Sequence, residues 1–97
     1  MTYRPTARAE ADIDSIADHI SDDNPPAAVR LIRDFVRRWE LLATLPSSGA
    51  PSDDVQPGLR RVIVGQYIAF YAVHDGEVVI LRVLHGRREI IAEGVGG

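Results

Sequence analysis

Hydrophobic residues in the second half of the chain fall into three short runs separated by turn residues. The runs, residues 59–64, 67–73 and 78–84, are rich in Val, Ile, Tyr and Phe, which favour strands. Gly65-Gln66 separates the first two, and Asp75-Gly76 separates the last two. Asp-Gly suits a two-residue hairpin loop, in which both central positions take a positive φ. The pattern predicts a three-stranded antiparallel meander.

The first half shows helical periodicity instead. Residues 2–4 resemble a short strand, and Thr6 is placed to cap a first helix. Asn24 and Pro25 suit the N-cap and first position of a second helix. The predicted apolar stripes are Ala9, Ile13, Ile16, Ala17 and Ile20 in the first helix, and Ala28, Leu31, Ile32, Phe35, Trp39 and Leu42 in the second.

The remaining segments complete a single α+β domain over residues 1–97. Residues 46–57 are rich in Pro, Gly, Ser and Asp, which predicts a loop. Residues 89–93 could form one helical turn, and residues 94–97 are expected to fray. The expected architecture is a short N-terminal strand, an antiparallel helical hairpin and the meander packed against the helices.

Composition removes several classes of function. The chain has no cysteine, and none of its three histidines is four residues from another. We therefore expect no disulfide, metal site or cofactor. Neither a signal peptide nor a bilayer-length apolar run is evident, so a cytoplasmic protein without a membrane partner is expected.

Charge is segregated along the chain although the net charge is only −3. Residues 1–24 hold two arginines and six carboxylates, whereas residues 25–45 hold four arginines and two carboxylates. This distribution argues against direct DNA binding, which requires a broad basic surface. The carboxylates of the first helix are expected to form a solvated face, or alternatively to contact a basic partner. All eleven basic residues are arginine, so no lysine can act as a base.

Arginines of the meander are the first candidates for partner binding. Arg60 and Arg61 should point to opposite faces of their strand, either to contact a partner or to form weak surface ion pairs. Arg82 shares its strand parity with Ile80 and Leu84, which predicts a partly apolar groove on that face or a structural ion pair.

The end of the last predicted strand supplies further candidates. His85 could bind a partner or be purely structural, and Arg87 and Arg88 are the best candidates for the functional end of the molecule. Tyr71 could anchor a partner if it is exposed, although core packing is the alternative.

The order strand, two helices, loop and three strands resembles the ParE/RelE superfamily of bacterial toxins. The segments LRRV (59–62), YIAFY (67–71) and ILRVLHGRR (80–88) are similar to the ParE branch. The resemblance implies a toxin of a type II toxin–antitoxin module. ParE-like members poison DNA gyrase and RelE-like members cut ribosome-bound messenger RNA. In both branches an antitoxin with a flexible C-terminal segment wraps the toxin.

Two departures from the ribonuclease branch favour the ParE branch. Ile68 follows Tyr67 where ribonucleases typically have Arg, and residues 89–91 (EII) replace a Tyr or His. RNA cleavage needs a general acid, a general base and cationic stabilisation. A ribonuclease would have to use Arg61, Arg82, His85 and Arg88.

We therefore expect a non-enzymatic gyrase poison that forms a hetero-oligomer with a ParD-like antitoxin, which itself would contact operator DNA. The alternatives are a ribosome-dependent ribonuclease and an interaction module without toxicity.

Overall fold

The computed structural model describes residues 1–86 and confirms the predicted α+β class. The elements in chain order are β1 (Thr2–Pro5), α1 (Ala7–Ser21), α2 (Pro25–Thr44), β2 (Ala50–Pro51), β3 (Arg60–Val64), β4 (Tyr67–His74) and β5 (Glu77–His85). The predicted turn over residues 89–93 and the predicted fraying of residues 94–97 concern positions outside the described residues.

Both helices begin at the predicted caps. The Thr6 hydroxyl accepts from the Ala9 amide at 3.1 Å, and the same hydroxyl donates to the Leu81 carbonyl at 3.2 Å. The Asn24 side chain accepts from the Ala27 amide at 3.1 Å, with Pro25 at the first helical position. Thr6 therefore both starts α1 and joins it to β5.

The buried side of α2 follows the predicted stripe with one exception. Ala28, Phe35, Trp39 and Leu42 are buried, and the rings of Phe35 and Trp39 stack at 5.7 Å. Ile32 is 40% exposed, so its predicted place in the buried stripe is wrong. Since helical residues advance by about 100°, Ile32 lies about 60° around the helix from Phe35, at the border of the contact.

The sheet has five strands in the order β1-β5-β4-β3-β2. The predicted meander of β3, β4 and β5 is confirmed, and β1 joins it parallel to β5. The two-residue strand β2 lies within the segment predicted as a loop and pairs antiparallel with Arg60 and Arg61. A strand this short leaves no periodic signal. Asp75 and Gly76 have φ values of 50° and 73°, as the predicted hairpin loop requires.

A β-bulge interrupts the pairing of β4 with β5. Phe70 pairs with Arg82, whereas the next residue, Tyr71, pairs with Ile80, which leaves Leu81 as the extra residue. After a bulge the alternation of faces is displaced by one residue. Ile80 and Val83 consequently both lie in the core beneath the helices. The prediction that Arg82 shares a face with Ile80 is therefore wrong.

Apolar residues cover both faces of the sheet. The main core lies between the helices and the sheet. A second cluster, formed by Leu59, Ile68 and Phe70, lies on the opposite face beside Val55 and Leu81. The segment that links β2 to β3 thus covers part of the face that the sequence left open.

Tyr71 is fully buried in the main core, so the expectation that it is an accessible anchor for a partner is wrong. Its hydroxyl donates to the Pro46 carbonyl at 2.7 Å and accepts from the Gly49 amide at 3.0 Å. A Cβ atom added to Gly49 would lie 2.5 Å from that hydroxyl. Because position 49 has no side chain, the loop after α2 can approach the Tyr71 ring closely. The two hydrogen bonds of the Tyr71 hydroxyl then hold this loop against β4.

We expect Tyr71→Phe to lower the free energy of unfolding by about 1–3 kcal/mol, because it leaves the buried Gly49 amide without an acceptor. Urea denaturation would measure the change. Tyr3→Phe is the matched control, since the Tyr3 hydroxyl has no hydrogen-bond partner among residues 1–86. Equal losses in both variants would contradict this role of the Tyr71 hydroxyl.

Candidate partner-binding surface

Arg60 and Arg61 fasten the preceding loop to the start of β3. Arg60 donates to the Gly49 carbonyl at 2.7 Å and to the Ser47 carbonyl at 3.3 Å. Arg61 donates to the hydroxyl of the fully buried Ser52 at 2.8 Å. Both arginines are half-buried. Within residues 1–86, their guanidinium groups are thus bound to the loop rather than paired with a carboxylate.

Arg82 makes the most enclosed ion pair among residues 1–86. Its Nε and Nη2 atoms donate to the two carboxylate oxygens of Asp12 at 2.8 and 3.1 Å. Oδ2 of Asp12 also accepts from the Val83 amide at 2.9 Å. The side chains of Arg82 and Asp12 are only 14% and 17% exposed. Asp12 is therefore not part of a solvated acidic face, as the sequence predicted, but connects α1 to β5.

His85 lies at the end of β5, beside the turn between β3 and β4. Its ring meets the Tyr67 ring edge-on at 5.3 Å, and its Nε2 atom lies 3.3 Å from Oε1 of Gln66. A cleft of about 510 Å³ separates this corner from α1 and is lined by His19 and Ser15 among others.

The strand register determines which candidates lie close together. Phe70 pairs with Arg61 on one side and with Arg82 on the other, so the two arginines are two strands apart. Arg61 bonds to the loop and Arg82 bonds to α1, so their side chains serve different neighbours. His85 pairs with Tyr67 and lies three residues beyond Arg82 along β5. Arg87 and Arg88 lie outside the described residues.

Two further features limit the chemistry of the described part of the chain. No group of three His, Cys, Asp or Glu side chains within residues 1–86 could hold a metal ion. Neither helix of that region is long and apolar enough to cross a membrane.

An exposed apolar stripe on α2 was not anticipated from the sequence. Val29, Ile32 and Val36 are 56%, 40% and 39% exposed and recur at helical spacing beside the buried stripe. The signal was present in the sequence, because α2 has more apolar positions than one buried face can use. An exposed stripe of this kind is typical of a contact surface.

The fold agrees with the resemblance found in the sequence, and comparison with known proteins establishes the family. The family model described as the ParE toxin of the type II toxin–antitoxin system parDE matches residues 3–90 of this chain. The chain belongs to this family of ParE toxins.

Individual relatives support the assignment. Toxin ParE1 of Caulobacter vibrioides is 33% identical over 84 residues, which is 86% of each chain. Toxin ParE1 of Mycobacterium tuberculosis is 28% identical over 90 residues, 91% of this chain and 92% of its own. Toxin RelE2 of Caulobacter vibrioides is 35% identical over 83 residues, 86% of this chain and 92% of its own.

A solved structure described as the chromosomal ParDE toxin–antitoxin system from P. aeruginosa has the same fold. It superposes with a TM-score of 0.75 at 29% identity and covers 88% of this chain and 95% of its own. The chain is thus a ParE-type toxin of a type II toxin–antitoxin system.

We expect Asp12→Ala to lower the free energy of unfolding by about 1–3 kcal/mol, because it removes the acceptor of the Val83 amide and two hydrogen bonds of the enclosed Arg82 guanidinium. Urea denaturation would again measure the change. Asp14→Ala is the control, since Asp14 is exposed and forms no ion pair within the described residues. A loss no greater than that of the control would show that the Asp12 contacts contribute little to stability.

Proposed function

We propose that this toxin stops growth by binding DNA gyrase in the cytoplasm and that a ParD-like antitoxin neutralises it in a hetero-oligomer. Membership of the ParE family supports the proposal. The name of the P. aeruginosa system, ParDE, pairs that toxin with a ParD component.

The observation that carries a binding mechanism is the engagement of Arg61 and Arg82 by the protein's own groups. A ribonuclease needs cationic groups directed at a scissile phosphate, with a general acid and base beside them. Here Ser52 and Asp12 orient the two guanidinium groups toward the loop and α1. Within residues 1–86, the acid–base candidates near Arg82 are His19 and His85, which line one cleft with Asp12, and Asp12 is itself bonded to Arg82. This arrangement favours a toxin that acts by binding its target rather than by cleaving RNA.

The exposed stripe of Val29, Ile32 and Val36 supports a protein partner for α2. An amphipathic helix could bury these side chains against its own apolar face, as in helix-in-groove recognition. Burying apolar surface is the main favourable contribution to most protein association. We assign this stripe to the antitoxin.

One comparison favours the second candidate function, a ribosome-dependent messenger RNA endoribonuclease. Toxin RelE2 of Caulobacter vibrioides is as similar to this chain as the ParE relatives are. In that case Arg61, Arg82, His85 and Arg88 would form the catalytic set, and Arg82 would have to leave Asp12 to reach the RNA.

Expressing the chain without an antitoxin should arrest growth and produce double-strand DNA breaks that depend on gyrase, while transcripts stay intact. Pulsed-field electrophoresis of chromosomal DNA and primer extension on abundant transcripts would measure the two effects. A strain with a toxin-resistant gyrase allele is the control for gyrase dependence.

Cut transcripts without DNA breaks would contradict the proposed gyrase binding and support the ribonuclease function. Normal growth, with expression of the chain confirmed, would indicate an interaction module without toxicity.

Replacing both Arg87 and Arg88 with Ala should raise the number of surviving colonies at least tenfold, because arginine is enriched among the contact residues of protein interfaces. Plating efficiency after induction would measure the effect. The control is the double variant Arg8→Ala/Arg33→Ala, which removes the same charge from exposed positions on the helices. Full toxicity of the Arg87/Arg88 variant would exclude these residues from the target contact.

A further inference from the structure

Among residues 1–86, no strand lies beside the outer edge of β3 along its second half. β2 pairs only with Arg60 and Arg61, so residues 62–64 extend past its end. The Leu59 carbonyl bonds to the Ser52 amide on this side. Backbone groups of a strand alternate between its two sides, so the N–H and C=O of Ile63 also point toward this edge. No strand within residues 1–86 pairs with them.

Apolar surface borders the unpaired edge. The side chain of Ile63 is 62% exposed and that of Leu41, on α2, is 43% exposed. Both line a cleft of about 330 Å³, and a second cleft of about 240 Å³ shares Ile63 and Arg38 with it. The two clefts therefore form one groove between α2 and the edge of β3, which we call the edge groove.

Arg38 and Arg37 give the edge groove two cations that have no ion-pair partner within residues 1–86. The Nε atom of Arg38 is buried and has no hydrogen-bond partner within residues 1–86. Arg37 also lines the groove, and neither arginine forms an ion pair within the described chain. Asp34 is the carboxylate in the same cleft and pairs with neither of them. The Nε atom itself is enclosed, so a partner would reach these cations through their other guanidinium nitrogens, where carboxylates would supply the ion pairs that Arg37 and Arg38 lack within residues 1–86.

We propose that the edge groove receives an extended acidic segment of the antitoxin as an additional strand beside β3. The inference rests on the proposed antitoxin partner. Side chains of an added strand alternate between the two faces of the sheet. Carboxylates on one side would meet Arg38 and Arg37, and apolar residues on the other side would cover Ile63.

The charge of the groove determines this choice of occupant. A second copy of the chain paired edge to edge would bring its own Arg37 and Arg38 toward the same edge, where each chain has Asp34 as the carboxylate that lines the cleft. Glu or Asp side chains of a peptide instead form charge-assisted hydrogen bonds with guanidinium groups. The segment should therefore show acidic and apolar residues in alternation.

The test uses the complex of this toxin with the small protein encoded beside it. Hydrogen exchange measured by NMR should show the Ile63 amide slowed at least tenfold in the complex relative to the free toxin, because a strand partner would accept its hydrogen bond. Arg38→Gln should weaken binding about tenfold or more in titration calorimetry. Arg33→Gln is the control, since it removes the same charge from an exposed position on the same helix outside the groove.

An intact complex in which Ile63 exchanges as in the free toxin, and in which both variants bind equally, would overturn the inference and leave the antitoxin itself in place. If no complex forms, the proposed antitoxin fails. The groove is then tested with a synthetic peptide of alternating Glu and Val, whose binding must be lost in Arg38→Gln for the inference to stand. Self-association in sedimentation that Ile63→Glu abolishes, without competition by the peptide, would identify a second copy as the occupant and overturn the inference.

Discussion

The carboxylate of Asp12 holds the helical layer and the sheet in one arrangement. It binds the Arg82 guanidinium and the Val83 amide together, immediately after the bulge at Leu81. β1 pairs with β5 only as far as Ile80. Beyond that residue, the edge of β5 is hydrogen-bonded to Thr6, which caps α1, and to Asp12 of α1. Charge-assisted hydrogen bonds of this kind are among the strongest in a small domain. The position of α1, and therefore the surface it shares with β5, depends on them.

A similar arrangement holds the opposite end of the sheet. Tyr71, Arg60 and Arg61 each bond to the segment between α2 and β3, which is anchored by backbone carbonyls and the buried Ser52. Residues that resemble a binding surface in the sequence are thus used for structure, because a loop without regular pairing must satisfy its polar groups by other means. In the described part of the chain, the surfaces left for partners are the α2 stripe, the edge groove and the corner at His85.

The distinction between a binding toxin and a nuclease also depends on these contacts. A guanidinium that is already hydrogen-bonded to a carboxylate must lose those bonds before it can stabilise a phosphate, and that loss opposes catalysis. Arg82 is in this position because Asp12 satisfies two of its nitrogens. The geometry therefore supports the proposed mode of action, in which the toxin binds and its target supplies the chemistry.

The sequence by itself determined both helices, every strand except β2, the caps and the resemblance to the family. Thr6, Asn24 and Asp75-Gly76 act locally, through side-chain acceptors and allowed φ values, so a pattern of neighbouring residues was enough to predict them. Only the tertiary structure decided which face Arg82 occupies, that Tyr71 is buried and that no strand of residues 1–86 pairs with the edge beside Ile63. The bulge displaces the alternation by one residue, and a two-residue strand ends where no periodicity marks it. Both depend on contacts between residues far apart in the chain, which local patterns do not encode.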